Sequence, residues 1–311
     1  MASRLPRTRF WSEREVLWMA SFSSSGIAVV TGASRGVGSG VAEALGAAGM
    51  TVYVTGRSLV DGASRFGDTP LHGTVHSAAQ AVTAAGGHGI AVQCDHADDG
   101  QVQGLFERVG REHGRLDILV NNAIHIDDSL VEPGPFWDKP LGQADIFGVG
   151  LRSNYVAAHC AAPLLLKAEH GLVAFTSSYG AGCYMHGPAY GAQKAGCDKM
   201  AADMAVDFEG TGVAALSLWL GVQRTERTQI AARQRSDAYG DFMARSESPQ
   251  FVGRVIHALW QDPELAALSG QTLIVAELAS RYGVRDEGGR EPPTLRAMLG
   301  APRPYHPARI S

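Results

Sequence analysis

The chain has 311 residues, 45% of them hydrophobic, with 38 glycines and a formal net charge of −4. That is enough apolar material for a large buried core; the acidic balance without a basic tract gives no support for electrostatic binding to nucleic acid, and scattered glycines exclude a collagen-like repeat. Cys94, Cys160, Cys183 and Cys197 lack a CxxC spacing and the density of a secreted scaffold, and no apolar run reaches the roughly 20 residues of a membrane helix. A cytoplasmic protein with reduced thiols is expected, with no membrane span, no nucleic-acid partner and no metal. Residues 1–25 differ in composition, with Arg4, Arg7, Arg9, Arg14, Trp11 and Trp18 ahead of a serine run. Glu13 and Glu15 interrupt a transit-peptide pattern, so this is read as an N-terminal extension whose Trp11, Val16, Leu17 and Trp18 pack on another surface, such as a second subunit.

From Gly26 strands and helices alternate. IAVV (27–30) suits a parallel strand buried on both faces. It runs into Thr31-Gly32-Ala33-Ser34-Arg35-Gly36-Val37-Gly38 and then a helical pattern. A strand, a glycine turn and a helix N-terminus together form an anion site, because the backbone can approach a pyrophosphate and free N–H groups receive it. TVYVT (51–55) is the next strand and ends at Arg57, where a carboxylate would select a ribose 2′-hydroxyl and an arginine a 2′-phosphate. Arg57, seconded by Arg35, therefore points to NADP(H). The polar stretch 59–70 is expected to be a surface loop near the phosphate pocket. A helix over 74–85 leads to the strand IAVQCD, which places Asp95 and His96 over the crevice. A helix over 101–113 leads to LDILVNNA, with Asn121, Asn122 and Ala123 at its carboxyl end. The breaker-rich loop IHIDDSLVEPGPFWDKP carries exposed aromatic residues, as a substrate-facing loop would.

The densest chemistry lies in 175–194, FTSSYGAGCYMHGPAYGAQK. A helix opened by Pro188 puts Tyr190 and Lys194 on one face, and the ammonium favours the phenolate, making Tyr190 a candidate acid/base. The preceding strand delivers Ser177 and Ser178 to its carboxyl end, where open α/β sheets hold their ligands. Tyr179, Cys183, Tyr184, Met185 and His186 are expected to line an apolar, aromatic pocket. The polar stretch 225–248 fits a lid, 249–260 an apolar-faced helix, and TLIVA (272–276) the last strand. The prolines between 292 and 307 preclude a continuous helix in the tail, which is free to wrap a neighbour.

TGASRGVG, LVNNA, the paired serines and YGAQK, in that order, resemble the short-chain dehydrogenase/reductase family. The likeness covers 26–283, with 284–311 as a C-terminal tail. VGLRSNY, YGAQKAGCDKMAAD and ASRYGVRDEGGR narrow it to the dehydrogenase/reductase member 1 branch. The resemblance implies one Rossmann-type, doubly wound α/β domain with a parallel sheet of about seven strands between helices, assembled as a homodimer or homotetramer. It implies that Tyr190 exchanges a proton with a carbonyl or alcohol oxygen, that Lys194 holds the nicotinamide ribose, and that Ser178 orients the substrate. It gives cofactor contacts to Gly32, Ser34, Arg35, Gly36, Val37, Gly38, Arg57, Asp95, His96, Asn122, Ala123, Tyr190, Lys194 and Thr225, with Gln223 a possible ligand. Departures accompany it. Gly150 stands where the family has an asparagine serving a proton relay; Asn154, one turn on, is read as a polar helix-surface residue. Ile124 fills a place usually kept small, and Leu220-Gly221 replaces Pro-Gly. The function implied is NADP(H)-dependent interconversion of a hydrophobic carbonyl compound and its alcohol; the alternative is a redox-inactive NADP(H)-binding sensor or scaffold.

Overall fold

The computed structural model describes residues 26–234 and 236–310, so the expectations for residues 1–25 lie outside it. A parallel seven-stranded sheet runs through the chain in the order β5-β2-β1-β6-β7-β8-β9. Its strands are β1 (Ile27–Val30), β2 (Thr51–Gly56), β5 (His88–Gln93), β6 (Ile118–Asn121), β7 (Gly171–Ser178), β8 (Val213–Leu220) and β9 (Thr272–Ile274). The order reverses between β1 and β6, which opens a crevice at the carboxyl ends of the strands.

Both faces are covered, which is why these strands read as unbroken apolar runs. Successive residues point to opposite sides: Val30, Val54, Val120 and Ala174 face one core, and Val29, Tyr53, Leu119 and Val173 the other. Helices α1 (Gly36–Ala47), α2 (Val75–Ala84) and α8 (Pro249–Trp260) close the first core. Helices α3 (Asp99–His113), α4 (Ser153–Leu165) and α5 (Pro188–Asp207) close the second.

Three segments differ from expectation. The stretch read as a surface loop contains an antiparallel hairpin, β3 (Ser64–Phe66) and β4 (Thr69–Leu71). Its alternation is too short to register as strands, yet Phe66 and Leu71 are buried against Ile230 and Ala231 of α6 (Glu226–Gln234). The last strand stops at Ile274, and Val275–Tyr282 is a helix, α9; its alanine, glutamate and leucine favour that state. Residues 284–299 return onto the sheet. The buried Asp286 carboxylate accepts from Ser248 N at 3.1 Å, and Leu295 packs with Tyr179 and Trp219. Helices α6 and α7 (Ser236–Ala244) occupy the stretch read as a lid.

Candidate active site

The glycine turn and the end of β6 are stapled together. Asn122 Nδ2 donates to Thr31 O (2.9 Å) and Gly32 O (3.1 Å), while Thr31 Oγ1 accepts from the backbone N–H groups of Asn122 and Ala123, both at 2.9 Å. The packing is tight enough that a Cβ on Gly38 would lie 2.5 Å from Gly32 O and 2.6 Å from Asn122 Nδ2. Gly32 and Gly36 sit at φ 64° and 59°. Arg35 occupies the N-cap of α1 and supplies no side-chain acceptor, so the first N–H groups of that helix remain available to an anion. Ser34 is buried beneath this turn, and Val37 packs on the core. Thr225 lies against Gly36, 3.6 Å from where a Cβ would stand, and its hydroxyl accepts from Thr228 N at the start of α6.

The two arginines part company. Arg35 donates to Ser58 Oγ (2.9 Å), Gly73 O (2.7 Å) and His72 O (3.2 Å), fastening the hairpin's base to the glycine turn. The Arg57 side chain is 69% exposed, its guanidinium 4.0 Å from the Asp95 carboxylate. His96 departs from the place expected of it over the crevice. Its ring is buried, with Nε2 2.9 Å from Thr55 Oγ1 and Nδ1 without a partner. Burial pulls its pKa down to about 4, so the side chain is a neutral core group and any cofactor contact at this residue falls to its backbone.

At the end of β7, Tyr190 Oη donates to Ser178 Oγ at 3.0 Å, and Gly180 N donates to the same oxygen at 3.1 Å. Both Ser178 lone pairs are thus engaged, which leaves its hydrogen to point at a third oxygen. Lys194 is buried, with Nζ 3.1 Å from Thr176 O and 5.5 Å from the Tyr190 ring centre. The remaining ammonium hydrogens are free to bind hydroxyls. Ser177 faces away, its Oγ donating to Lys194 O at 3.2 Å.

Around this trio the expected pocket wall is largely absent. Tyr179 is 2% exposed, packs on Trp219 and accepts from Leu295 N at 3.0 Å. Cys183 and Met185 join that same cluster, and Tyr184 is 80% exposed. A turn that looks continuous in sequence thus splits between core and solvent; His186 alone of the five packs its ring on Tyr190.

Gly150 lies at φ 138° in a bulged turn, Gly148–Arg152, ahead of α4. Its carbonyl oxygen accepts from Asn154 Nδ2 and Gln193 Nε2, both at 2.6 Å. Asn154 is 3% exposed, correcting its reading as a surface residue; one helical turn brings its amide back onto the bulge. A Cβ on Gly150 would stand 3.2 Å from Ile124. The two departures therefore compensate each other, since the missing side chain at 150 makes room for the larger one at 124.

Two buried acids escaped the sequence. Asp198, one turn beyond Lys194, accepts from Ser217 Oγ (2.6 Å) and Trp219 Nε1 (2.8 Å), and burial raises its pKa. Glu247 accepts from Gly221 N at 3.0 Å and from Gln223 Nε2 at 2.5 Å, and burial pushes its pKa up to about 7. It joins the two feet of the α6–α7 excursion, where Gln223 and Glu247 form a parallel bridge. Gln223 Oε1 is buried without a partner, an acceptor free for the amide of a carboxamide ligand. An apolar or solvated residue carries no sequence signal of such a role; only the fold brings 223 and 247 together.

Residues 26–236 match the family model for short chain dehydrogenases. Dehydrogenase/reductase SDR family member 1 of Homo sapiens is 37% identical over 283 residues, covering 88% of this chain and 86% of that protein. Its Mus musculus counterpart is 38% identical over 275 residues, covering 85% and 84%. A solved structure from Xanthomonas campestris superposes with a TM-score of 0.69 at 28% identity, covering 86% of this chain and 92% of its own. With this sheet order, glycine turn and β7–α5 arrangement, the chain belongs to the short-chain dehydrogenase/reductase family, in the branch of family member 1.

Proposed function

We propose that the protein is an NADP(H)-dependent oxidoreductase that interconverts a carbonyl and a secondary alcohol on a hydrophobic small molecule. The carrying observation is the Tyr190–Ser178 hydrogen bond at 3.0 Å beside the buried Lys194. The unfilled N–H groups of α1 and the free Gln223 Oε1 fit a dinucleotide with a carboxamide head. When bound, that cofactor supplies or accepts the hydride. Ser178 and Tyr190 together hold the substrate oxygen, and Tyr190 gives its proton to it or removes one in the reverse direction. Lys194 stabilises the phenolate and binds ribose hydroxyls. Arg57, exposed at the end of β2, supports the choice of the phosphorylated cofactor.

Tyr190→Phe is expected to lower kcat for NADPH consumption by about 10²–10⁴-fold while leaving the NADPH Kd within about twofold, because a proton is lost and little volume changes. Unchanged turnover on a panel of ketones, quinones and aldehydes overturns the assignment of Tyr190. The sensor reading draws on one observation, the Gly150 carbonyl filled by two amides; tight NADPH binding with no turnover on any panel member would favour it. A homodimer or homotetramer, placed in the cytoplasm, completes the proposal; its self-association is supported by exposed Tyr155 and Leu166 at α4 and by Val206 on α5. Light scattering reads the mass directly. No helix among the described residues is long and apolar enough to cross a membrane.

A further inference from the structure

His186 is the one non-glycine residue with positive φ among those described, at 58°. Histidine is among the side chains that tolerate the left-handed region, but the conformation is uncommon and persists where the surroundings hold it. Here Gly187, at φ 95°, follows it and caps α5. The result is an imidazole set edge-to-face on the Tyr190 ring, with centroids 5.1 Å apart and planes at 88°. Half-buried in this position, it has no hydrogen-bonding partner on either ring nitrogen among the described residues. Burial, assisted by the nearby charge of Lys139, lowers its pKa to about 4. The ring is therefore neutral at physiological pH and offers one N–H donor and one acceptor. Histidines of the core, such as His96, are fixed by a neighbour; this one lies against the ring of the candidate acid/base with both ring nitrogens unused.

We propose that His186 is a specificity-determining residue that hydrogen-bonds an oxygen on the carbon next to the reacting carbonyl, so that the preferred substrates are vicinal dicarbonyls and the matching α-hydroxy ketones. The inference rests on the reductase reading above and deepens it. Tyr190 and Ser178 take the first oxygen, and the imidazole N–H takes the second. A simple ketone leaves the imidazole unpaired in a partly desolvated site, which costs affinity. No step of the chemistry passes through His186, so its loss changes which carbonyl compounds bind rather than the proton transfer itself.

The test compares 1-phenylpropane-1,2-dione with propiophenone, which share the ring and chain and differ by one oxygen. Titration calorimetry on the enzyme–NADP⁺ complex gives the ratio of the two Kd values, and NADPH consumption gives the ratio of kcat/KM. Wild type is expected to favour the dione by about tenfold or more in Kd. In His186→Phe, which keeps an aromatic ring on Tyr190, the ratio should fall to within about threefold, the dione binding more weakly and propiophenone as tightly as in wild type or tighter, since no imidazole is left unpaired. Reading two ligands on one preparation cancels any loss of folded protein, and comparing variants cancels the dione's greater electrophilicity. No dione preference in wild type, or the same preference in His186→Phe, overturns the inference. Equal and efficient turnover of both ketones sinks it while the reductase stands. A dione preference in binding that His186→Phe abolishes, with no NADPH consumed, overturns the reductase reading and the substrate assignment with it, leaving His186 as a ligand contact only.

Discussion

Arg57 and Arg35, close enough for their charges to interact, show how one residue type takes two roles. Arg35 is committed to the hairpin through three acceptors, whereas Arg57 is exposed beside Asp95. Arg57→Asp is accordingly expected to lower the preference for NADPH over NADH by one to two orders of magnitude, about 1.4 kcal/mol for each tenfold. Equal preference ratios in variant and wild type would detach Arg57 from the 2′-phosphate. The residues that carry a motif were legible: Gly32, Gly38, Asn122, Ser178, Tyr190 and Lys194 all meet at the carboxyl edge of the sheet. Those that act by long-range contact were not. Glu247 is one polar residue of the stretch 225–248 until the chain folds back across 26 positions onto Gly221, and Asn154 reads as solvated until a bulge turns a carbonyl toward it. Periodicity reports the face a residue occupies, not the partner that awaits it.

The hairpin, α6 and the loop before α4 form one closure. Arg227 of α6 lies 4.7 Å over the Phe66 ring and pairs with Asp128 at 3.0 Å. Asp128 also accepts from Gly67 N, and Glu226 accepts from His72 N, both at 2.8 Å. The hairpin therefore links the glycine turn, through Arg35, to α6. Phe66→Ala removes a buried ring, a change typically costing about 3–5 kcal/mol, but here the loss falls on a peripheral unit able to open by itself. Protease cleavage between 59 and 73 should accelerate at least severalfold and NADPH should dissociate faster, with little change in the main thermal transition. Cleavage at the wild-type rate would mean that Phe66 does not hold the hairpin down. None of this was visible beforehand, because three-residue strands give too little alternation and the sequence does not show that α6 lies opposite. The large elements, by contrast, were plain, since both-face burial writes long apolar runs into β1, β7 and β8.

For the molecule as a whole, stability and pH are tied through Glu247. Its ordinary pKa is 4.5 and burial raises it to about 7, so the native state holds the proton more tightly than the unfolded chain does. The associated stability is fully present below about pH 4.5 and is lost as pH rises through 7, about 3 kcal/mol in all. Glu247→Gln keeps an acceptor for Gly221 N and Gln223 Nε2 but cannot ionise. Its melting temperature should gain on wild type by several degrees between pH 5 and 8; parallel curves would show that Glu247 is not a titrating group of the fold. Another long-range tie concerns order in time. Tyr179 directly follows Ser178, yet its hydroxyl has its partner in Leu295 N, 116 positions later. A ribosome emits the glycine turn early, Ser178, Tyr190 and Lys194 midway, and the segment that covers Tyr179 and Trp219 near the end. The core behind the glycine-turn helix also waits for α8, whose Phe251, Val255 and Leu259 pack with Val41 and Leu45, so both sides of the crevice are completed only in the last fifth of synthesis.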